Sequence, residues 1–579
     1  MTRRRRRVSR FRLGAFGGAR HRFSIVAIGV TTVVLAGAGL TYASTILFGD
    51  NQVGTEYPNG IQVSDDQIIK PIGDRLLTQF GKFMGSTVSP DGRFLAATSA
   101  DKPVALQIFN LSSYRLIWTV GPGSPAYPVN QTLSDGTVGQ EGPTYSPDGK
   151  FLWLPQQDAV SRFPVNPDGT LGSPTRFSLP TVGTHLSGNG RTPTPNSALV
   201  GQIKYSPDGS TLYAALNGQN SVVALDPNTG TVEHTWNVGI APRELAFVGS
   251  KLYVSDEGGR QAQGDTTMDS YGTPVPANLY LGTSTTGAVS VIDTANPSAA
   301  VGSIAVGLHP TALYQRGNAL FVANTNSDTV SVIDTTNDQV VQTIDTQPWP
   351  SSTTGYEPDS IALTEDGHLL VTLGRANAVA VYRYDGTPED PVSYIGLLPT
   401  DYYPATVATV GDQIVVTNTR GIDARGPAIT TYKGQGTVPV SGHDTHSTTA
   451  SLTRFTLPSD LAIARYTATV FAQNGWGSHN VLHSRGHRAA PVPVPTRIGD
   501  PSTIKHVFLI VKENRTYDQQ FGDIGYGNGD PTLAQFGTNT AGQKVTPNQQ
   551  ALAKQFGLYD NTYDVGTNSA EGHNWLMQG

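Results

Sequence analysis

The chain has 579 residues and a formal net charge of −6, with 64 glycines, 39 prolines and no cysteine. This length exceeds one ordinary compact domain, and the many turn-forming residues favour many short strands. The lack of cysteine excludes a disulfide framework, a Cys-ligated metal centre and a cysteine nucleophile, and a hydrophobic content of 37% argues against wholesale disorder.

The N-terminus carries its own charge pattern. Nine of the 39 basic residues lie within residues 1–22, so the remainder has 30 basic against 45 acidic residues and does not suit nucleic acid as a partner. Residues 23–49 have no charged side chain and are long enough to cross a bilayer as a helix. We therefore expect a cytoplasmic tail (1–22), a transmembrane anchor (23–49) and an extracytoplasmic body, at the cell surface or in the periplasm.

Other interpretations of this segment remain open. A cleaved signal peptide with small residues such as Ala43 near its end is the nearest alternative. A nucleic-acid-binding arm and a buried core helix fit less well, because the arginines directly adjoin the apolar run.

The middle of the chain is repetitive. Four turn signals of one type precede apolar strand patterns: Ser89-Pro90-Asp91-Gly92, Ser146-Pro147-Asp148-Gly149, Ser206-Pro207-Asp208-Gly209 and Thr364-Glu365-Asp366-Gly367. Proline presets one turn dihedral and glycine accepts positive φ, so such a turn joins two antiparallel strands. Valine- and isoleucine-rich strands that end at Asp-led turns follow.

Seven units can be counted from the strand that opens each one, near Met84, Pro143, Ile203, Pro242, Pro310, Pro358 and Pro404. Seven units with room for four short strands each predict an all-β, seven-bladed propeller within residues 50–475. An open β-sandwich is the main alternative, but it would not repeat Val-Ser-Val-Ile-Asp-Thr in successive units. We expect Ala450–Phe455 to supply the closing strand and residues 460–474 to form a helix on the outside.

The repeat around Phe321-Val-Ala-Asn-Thr-Asn resembles the YVTN-type propeller repeats of surface-layer and lactonase-like proteins. Propellers bind ligands in the central channel, although the fold alone names no ligand. Candidate channel residues are His185, Arg243, Glu244, Glu257 and His309. A surface or loop position is the simpler interpretation of each, so none receives a catalytic role.

A Pro-rich linker, residues 476–503, separates the propeller from a different pattern. Residues 504–512 form an apolar run that predicts a buried strand of a parallel sheet, the start of an α/β segment over residues 504–579. Polar residues follow at once, beginning with Glu513 and Asn514, whose side-chain oxygens suit a hard divalent cation. Two oxygens alone also fit a turn or a helix cap.

The run Lys512-Glu-Asn-Arg-Thr-Tyr-Asp-Gln-Gln-Phe-Gly-Asp resembles the phosphoesterase family of bacterial phospholipases C and acid phosphatases, within the alkaline-phosphatase superfamily. The resemblance continues through Asn568-Ser-Ala-Glu-Gly-His-Asn-Trp, although Asp is more usual than Glu571. It implies that Glu513 and Asn514 ligate a divalent metal ion of unknown identity and that Ser569 is the nucleophile. Thr567 is an alternative nucleophile, and His573 either orients substrate or caps a helix.

The resemblance implies a hydrolase domain of several hundred residues, whereas 76 residues follow position 503. We therefore expect an incomplete, inactive phosphoesterase segment here and, in the intact protein, a membrane-anchored enzyme that hydrolyses phosphate esters. The alternatives are a non-enzymatic cell-surface binding propeller and a propeller enzyme of lactonase or quinoprotein type. A reading frame that continues past codon 579 would favour the first interpretation.

Overall fold

The structure, a computed structural model, describes part of the chain: residues 56–58, 60–63, 67–99, 104–123, 127–133, 141–186, 193–270, 272–346, 355–420, 429–432, 439–442, 449–476, 490–495, 500–512, 514–539, 541–560, 562, 572–573 and 576. Two compact units divide at Thr55, and only the second, Glu56–Gly579, contains described residues. The expected tail and membrane anchor therefore lie outside the described residues. Within the described residues, no helix is long and apolar enough to cross a membrane.

Seven larger sheets, numbered here 1 to 7 in chain order of their first strands, account for most of the described strands. Sheet 1 contains Phe83–Val88, Phe94–Ser99, Ala105–Asn110, Arg115–Gly121 and Gln131–Thr132; sheet 2 contains Thr144–Tyr145, Phe151–Pro155, Ala159–Pro164 and Thr175–Ser178; sheet 3 contains Val200–Tyr205, Leu212–Leu216, Ser221–Leu225 and Val232–Asn237. Sheet 4 contains Ile240–Val248, Lys251–Gly259, Gly287–Asp293 and Gly302–Val306; sheet 5 contains Pro310–Arg316, Ala319–Asn324, Thr329–Asp334 and Gln339–Asp345; sheet 6 contains Pro358–Leu363, His368–Leu373, Ala378–Arg383 and Ser393–Pro399. Sheet 7 contains Tyr402–Val410, Gln413–Arg420, Ala450–Thr456 and, from the N-terminal side, Asp74–Thr78.

These sheets form a closed ring. The first strand of each sheet contacts the first strand of the next, and the first strand of sheet 7 contacts that of sheet 1. Seven apolar clusters fill the spaces between neighbouring sheets, one cluster for each pair. Sheets that pack face to face around a central axis constitute a β-propeller, so the propeller prediction is confirmed.

The repeat turns have the predicted geometry. In each of the four turns the Ser or Thr hydroxyl donates to the Asp carboxylate at 2.6–2.7 Å. The same hydroxyl accepts the backbone N–H that opens the second strand, as in Phe94 N to Ser89 Oγ at 2.9 Å. Gly92, with φ of 71°, supplies the left-handed residue that the turn requires. Each of the seven unit openings lies at or directly beside the first strand of a sheet.

Ring closure differs from the expectation. Ala450–Thr456 is the third strand of sheet 7, and the outermost strand is Asp74–Thr78, from before sheet 1. Arg75 on this strand donates two hydrogen bonds to the buried Asp401 carboxylate, at 2.8 and 2.6 Å. Strands from both ends of the ring therefore close it, because the strand that precedes sheet 1 completes sheet 7.

The remaining strands and 3₁₀ turns are short and lie outside the seven sheets. They are a three-stranded sheet (Glu56–Tyr57, Gly60–Gln62, Ile68–Ile69), hairpins Thr184–Leu186 with Pro193–Pro195 and Ile429–Tyr432 with Pro439–Gly442, an insertion in sheet 4 (Thr267–Ser270, Thr273–Asn278, Thr283–Ser284), and 3₁₀ turns Asn217–Gln219, Thr325–Ser327 and Pro531–Leu533. The insertion lies between the second and third strands of sheet 4.

The helix Asp460–Gln473 packs on the outermost strand of sheet 6, which confirms the predicted external helix. Ile463 and Val470 are its buried apolar side chains. A Cβ atom on Gly396 of that strand would lie 2.8 Å from the Ile463 carbonyl oxygen, so only glycine permits this close approach.

The predicted buried strand at residues 504–512 is not a strand. The described residues from 500 to 562 form only two helices, Tyr517–Phe521 and Pro547–Phe556, one 3₁₀ turn and isolated bridges. Phe508 and Ile510 are 89% and 85% exposed, so the apolar run is not buried. A parallel-sheet strand needs neighbours for its backbone and both faces, and no described strand lies beside this run.

Candidate functional site

The centre of the ring contains a cavity of about 660 Å³. The first strands of all seven sheets contribute to its wall, so this cavity is the lumen of the propeller. At one end it reaches the turns at Pro90, Pro147 and Pro207, and at the other end it reaches Glu141. A lumen of this size falls within the usual range for small-molecule sites.

A belt of polar side chains on the first strands links neighbouring sheets. Thr144 Oγ1 donates to Ile203 O at 2.7 Å, between sheets 2 and 3. Gln202 Oε1 and Glu244 Oε2 accept the backbone N–H groups of Leu245 and Leu313, at 2.8 and 2.7 Å.

The belt continues on the other side of the ring. Ser360 Oγ accepts from Val407 N at 3.2 Å, and the hydroxyls of Thr406 and Ser86 lie 2.6 Å apart. Five of the seven sheet junctions therefore have a polar side-chain link at the lumen.

Glu244 is the one ionisable residue among these five belt linkages. Burial raises its pKa to about 8, with a further contribution from the negative charge of Glu141. The backbone N–H of Leu313 and the charges of Arg243 and Lys204 act in the opposite direction. At neutral pH the Glu244 side chain is therefore mostly an uncharged carboxylic acid, able both to accept and to donate a hydrogen bond.

Arg243 organises a charged cluster at the Glu141 end of the lumen. It forms ion pairs with Glu141 and with Glu257, the latter with Nη1 to Oε1 at 2.7 Å. His309 Nε2 lies 3.5 Å from the same Glu257 oxygen. Arg243 belongs to sheet 4 whereas Glu141 precedes sheet 2, so their pair passes across part of the lumen and narrows this end.

The cluster has defined protonation preferences. Burial opposes ionisation of Glu257, but the charges of Arg243 and His309 hold its pKa below the usual value. Burial raises the pKa of Glu141, against the effect of Arg243. Burial lowers the pKa of His309, and Arg243 lowers it further, although Glu257 opposes the shift. Arg243 thus holds Glu257 ionised and disfavours a charged His309.

A second carboxyl with a near-neutral pKa lies beside this cluster. Burial and the negative charge of Glu357 raise the pKa of Asp359 to about 7, and Arg243 opposes the shift. Asp359 Oδ2 is buried and has no hydrogen-bond partner among the described residues. Glu357 itself accepts a hydrogen bond from Tyr403 Oη at 2.8 Å. The lumen and its charged end therefore hold two carboxyl groups that change protonation near neutral pH.

A residue at the start of the first strand, either just before it or second within it, has a left-handed backbone conformation in most of the sheets. Six of the seven strands show this, with φ between 43° and 55°, at Lys82, Leu199, Ala241, His309, Glu357 and Tyr403. Side-chain oxygens from the preceding sheet receive the N–H groups of three of them: Asn220 binds Ala241 N, Asp328 binds Glu357 N and Asn377 binds Tyr403 N. These hydrogen bonds fix the backbone at Ala241, Glu357 and Tyr403, at the charged end of the lumen, where backbone strain is concentrated.

Four of the five channel residues predicted from sequence lie at the lumen or its charged end, and the fifth does not. Arg243, Glu257 and His309 lie together at the charged end, and Glu244 lines the lumen. His185 lies in the hairpin Thr184–Leu186, outside the seven sheets, and its side chain is not described. Sequence reasoning missed Glu141, Lys204 and Asp359. For two of them the available signal was position, because Asp359 directly follows the strand-opening Pro358 and Glu141 lies two residues before Pro143.

The residues predicted from the phosphoesterase resemblance are not brought together by the described structure. Glu513, Thr567 and Ser569 lie outside the described residues. Asn514 is exposed with a φ of 64°, and His573 is exposed. Throughout the described ranges, no group of three His, Asp or Glu side chains could hold a metal ion.

Comparisons with known proteins add little beyond the fold. No family model and no curated protein matches the chain. Among solved structures, it is similar to hydrazine synthase of Kuenenia stuttgartiensis (16% identity, TM-score 0.41, 59% of this chain and 94% of that one). It is also similar to a catalytically inactive virginiamycin B lyase of Staphylococcus aureus with quinupristin (13%, 0.42, 66% and 99%). A putative 6-phosphogluconolactonase of Bacteroides fragilis is a third (18%, 0.40, 56% and 85%). All three TM-scores are below 0.5, so the propeller assignment rests on the sheet order and the ring contacts.

Proposed function

We propose that the lumen is the functional site of this protein and that it binds a small polar ligand. The observation that carries the proposal is the cavity of about 660 Å³ whose wall includes all seven first strands. The wall combines apolar side chains with a few polar groups, Gln202, Lys204 and Glu244 among them. Such a combination provides both desolvation and orientation for a small molecule.

The ligand would reach the lumen from the end formed by the Pro-Asp-Gly turns. The Arg243–Glu141 and Arg243–Glu257 ion pairs restrict the opposite end, and breaking them would leave charges unpaired in partly buried positions. Glu244, with a pKa of about 8, supplies a group that can exchange a proton with a ligand at neutral pH. This function belongs to the binding-propeller and propeller-enzyme alternatives.

The phosphoesterase function is a separate proposal. It rests on the sequence resemblance alone and assigns nucleophilic attack to Ser569 and a divalent metal ion to Glu513 and Asn514. It also includes a phosphate-ester substrate, a membrane anchor at residues 23–49 and an extracytoplasmic body. The proposal predicts that this chain does not hydrolyse an aryl phosphate with added Mg²⁺ or Zn²⁺, and that a form continued past residue 579 does so unless it carries Ser569→Ala.

A lumen-blocking variant tests the primary proposal. Ala408 lines the cavity on the first strand of sheet 7 and is only half-buried, so Ala408→Trp places an indole in the lumen without displacing a core side chain. Ala295→Trp adds the same group at an exposed turn and serves as the matched control. Ligand-observed NMR with a panel of sugars, sugar lactones, amino acids and small carboxylates measures binding to the full chain in detergent.

We expect a subset of the panel to bind the wild type and Ala295→Trp equally, and binding of that subset to fall at least tenfold in Ala408→Trp. Compounds that bind all three proteins equally would place the site elsewhere and refute the proposal. An absence of binding to the wild type across the panel would also count against it.

A further inference from the structure

Lys204 is an unusual component of the lumen wall. It lies on the first strand of sheet 3, Val200–Tyr205, lines the cavity, and is exposed to that space. Its side-chain ammonium forms no hydrogen bond or ion pair with the described part of the chain. Surrounding protein lowers its pKa, because burial disfavours the charged form, and the negative charge of Glu244 opposes this shift.

Among the described residues, Lys204 is the basic residue that lines the cavity. Three charged residue positions line the cavity: Glu141, Lys204 and Glu244. Glu141 is ion-paired with Arg243, which also pairs with Glu257, so neither carboxylate is paired with Lys204. Glu244 is mostly uncharged below pH 8, so its carboxyl does not neutralise Lys204 there. A lone ammonium in a confined, low-dielectric space attracts an anion more strongly than one at the outer surface.

We infer that the lumen binds a small anion, a carboxylate or a tetrahedral oxyanion, with the Lys204 ammonium as its counter-charge and the Glu244 carboxyl as a hydrogen-bond donor. This inference rests on the proposed function, since it names the class of ligand that the lumen takes. An anion beside Lys204 favours the charged form of the amine and so offsets the effect of burial. Gln202, on the same strand two residues earlier, lines the same space.

Ionisation of Glu244 would oppose anion binding. The groups that face this carboxyl are Lys204 from sheet 3, Arg243 next to it in sequence, Glu141 from before sheet 2 and the N–H of Leu313 from sheet 5. Once ionised, Glu244 competes with the ligand for Lys204 and no longer donates a hydrogen bond. With a pKa of about 8, the protonated fraction falls from about 0.9 at pH 7 to about 0.1 at pH 9, so affinity falls about tenfold.

Calorimetric titration of the full chain with sodium sulfate and with sodium acetate tests this inference. Both anions keep their charge between pH 7 and pH 9, and low, constant ionic strength limits competition. We expect Lys204→Met to weaken binding at least tenfold and Lys204→Arg to retain it. Lys150→Met, which removes an exposed lysine whose ion pair among the described residues is with Asp148, is the matched control and leaves affinity unchanged. Stronger binding of sulfate would indicate a tetrahedral oxyanion as ligand, and stronger binding of acetate a carboxylate.

The pH dependence provides a second readout. Glu244→Gln keeps an acceptor for Leu313 N–H and cannot ionise, so we expect its anion affinity to fall less between pH 7 and pH 9 than that of the wild type. An equal fall in wild type and Glu244→Gln would overturn the role of Glu244. Anion binding that Lys204→Met leaves intact would overturn the site. If panel compounds bind and Ala408→Trp blocks them, but neither anion binds, the inference fails while the proposed function stands.

Discussion

Removing Arg75 should destabilise the propeller in a strongly pH-dependent way. Arg75 lies on the outermost strand of sheet 7 and makes two hydrogen bonds to Asp401, whose side chain is completely buried. Ser451 Oγ donates a third hydrogen bond, at 2.6 Å. In Arg75→Met the Asp401 carboxylate loses its counter-charge. It can then avoid being a buried unpaired charge only by binding a proton.

The expected magnitude follows from that proton uptake. Burial already raises the Asp401 pKa in the wild type, and Arg75 opposes the shift. In the unfolded chain an aspartate carboxyl has a pKa of about 3.9. Keeping it protonated in the folded protein therefore costs at most about 4 kcal/mol of stability at pH 7, and about 1.5 kcal/mol at pH 5. Because the folded pKa lies above the unfolded one, stability falls as pH rises. The wild type already bears part of this cost, so the additional loss in Arg75→Met should stay below these limits and be larger at pH 7.

Urea unfolding at pH 5 and pH 7, monitored by tryptophan fluorescence, measures this loss. The double variant Arg75→Met/Asp401→Asn should recover stability at pH 7, because the charge that needs a partner is gone. Arg260→Met, which breaks a more exposed pair with Asp265, is the control and should show the same small loss at both pH values. An equal loss at both pH values in Arg75→Met, or no recovery in the double variant, would refute the reasoning.

Two further predictions concern the lumen and the sheet junctions. Glu244 has a pKa of about 8 against a usual value of 4.5, so wild-type stability should fall from pH 5 to pH 8, and thermal unfolding should show a smaller fall in Glu244→Gln; equal falls would contradict the buried-carboxyl account. Asn377 accepts from Tyr403 N and donates to Gln67 Oε1, so Asn377→Ala should lose about 1–2 kcal/mol in urea unfolding. Asn377→Asp should lose less stability than Asn377→Ala, because the carboxylate of Asp328 accepts the corresponding backbone N–H groups, those of Tyr356 and Glu357. Equal losses in the two variants would show that the hydrogen bond from Tyr403 N is unimportant.

The sequence was sufficient to predict the repeating part of the fold. Proline, aspartate and glycine at fixed spacing specify a turn through local dihedral preferences and a side-chain hydrogen bond, so Ser206-Pro207-Asp208-Gly209 identifies a hairpin without any long-range information. The same turn and the apolar strands beside it recur, which also makes the unit openings visible.

The non-local parts of the fold were not predictable in the same way. Asp74–Thr78 has no strict alternation of apolar and polar residues, and its partner Ala450–Thr456 is far away in sequence. Only completion of sheet 7 identifies it as the closing strand. At residues 504–512 the sequence predicted a strand that the structure does not contain. A strand-like composition forms a strand only where neighbouring strands satisfy its backbone hydrogen bonds.

The candidate site was predictable in part. Arg243, Glu244, Glu257 and His309 were candidates for the channel, and three of them lie beside the strand openings at Pro242 and Pro310. Lys204 was not, since a lysine within an alternating strand is usually solvent-exposed at the outer surface. Its significance depends on the convergence of seven strands and on the raised pKa of Glu244, which are properties of the closed ring.

A crystal structure of the full chain with a compound that binds in the NMR panel tests the central claim most directly. The account predicts electron density for the compound inside the lumen, within hydrogen-bond distance of Lys204 or Glu244 and on the side of the Pro-Asp-Gly turns. A compound bound at the outer surface or against residues 500–579, with water alone in the lumen, would contradict it.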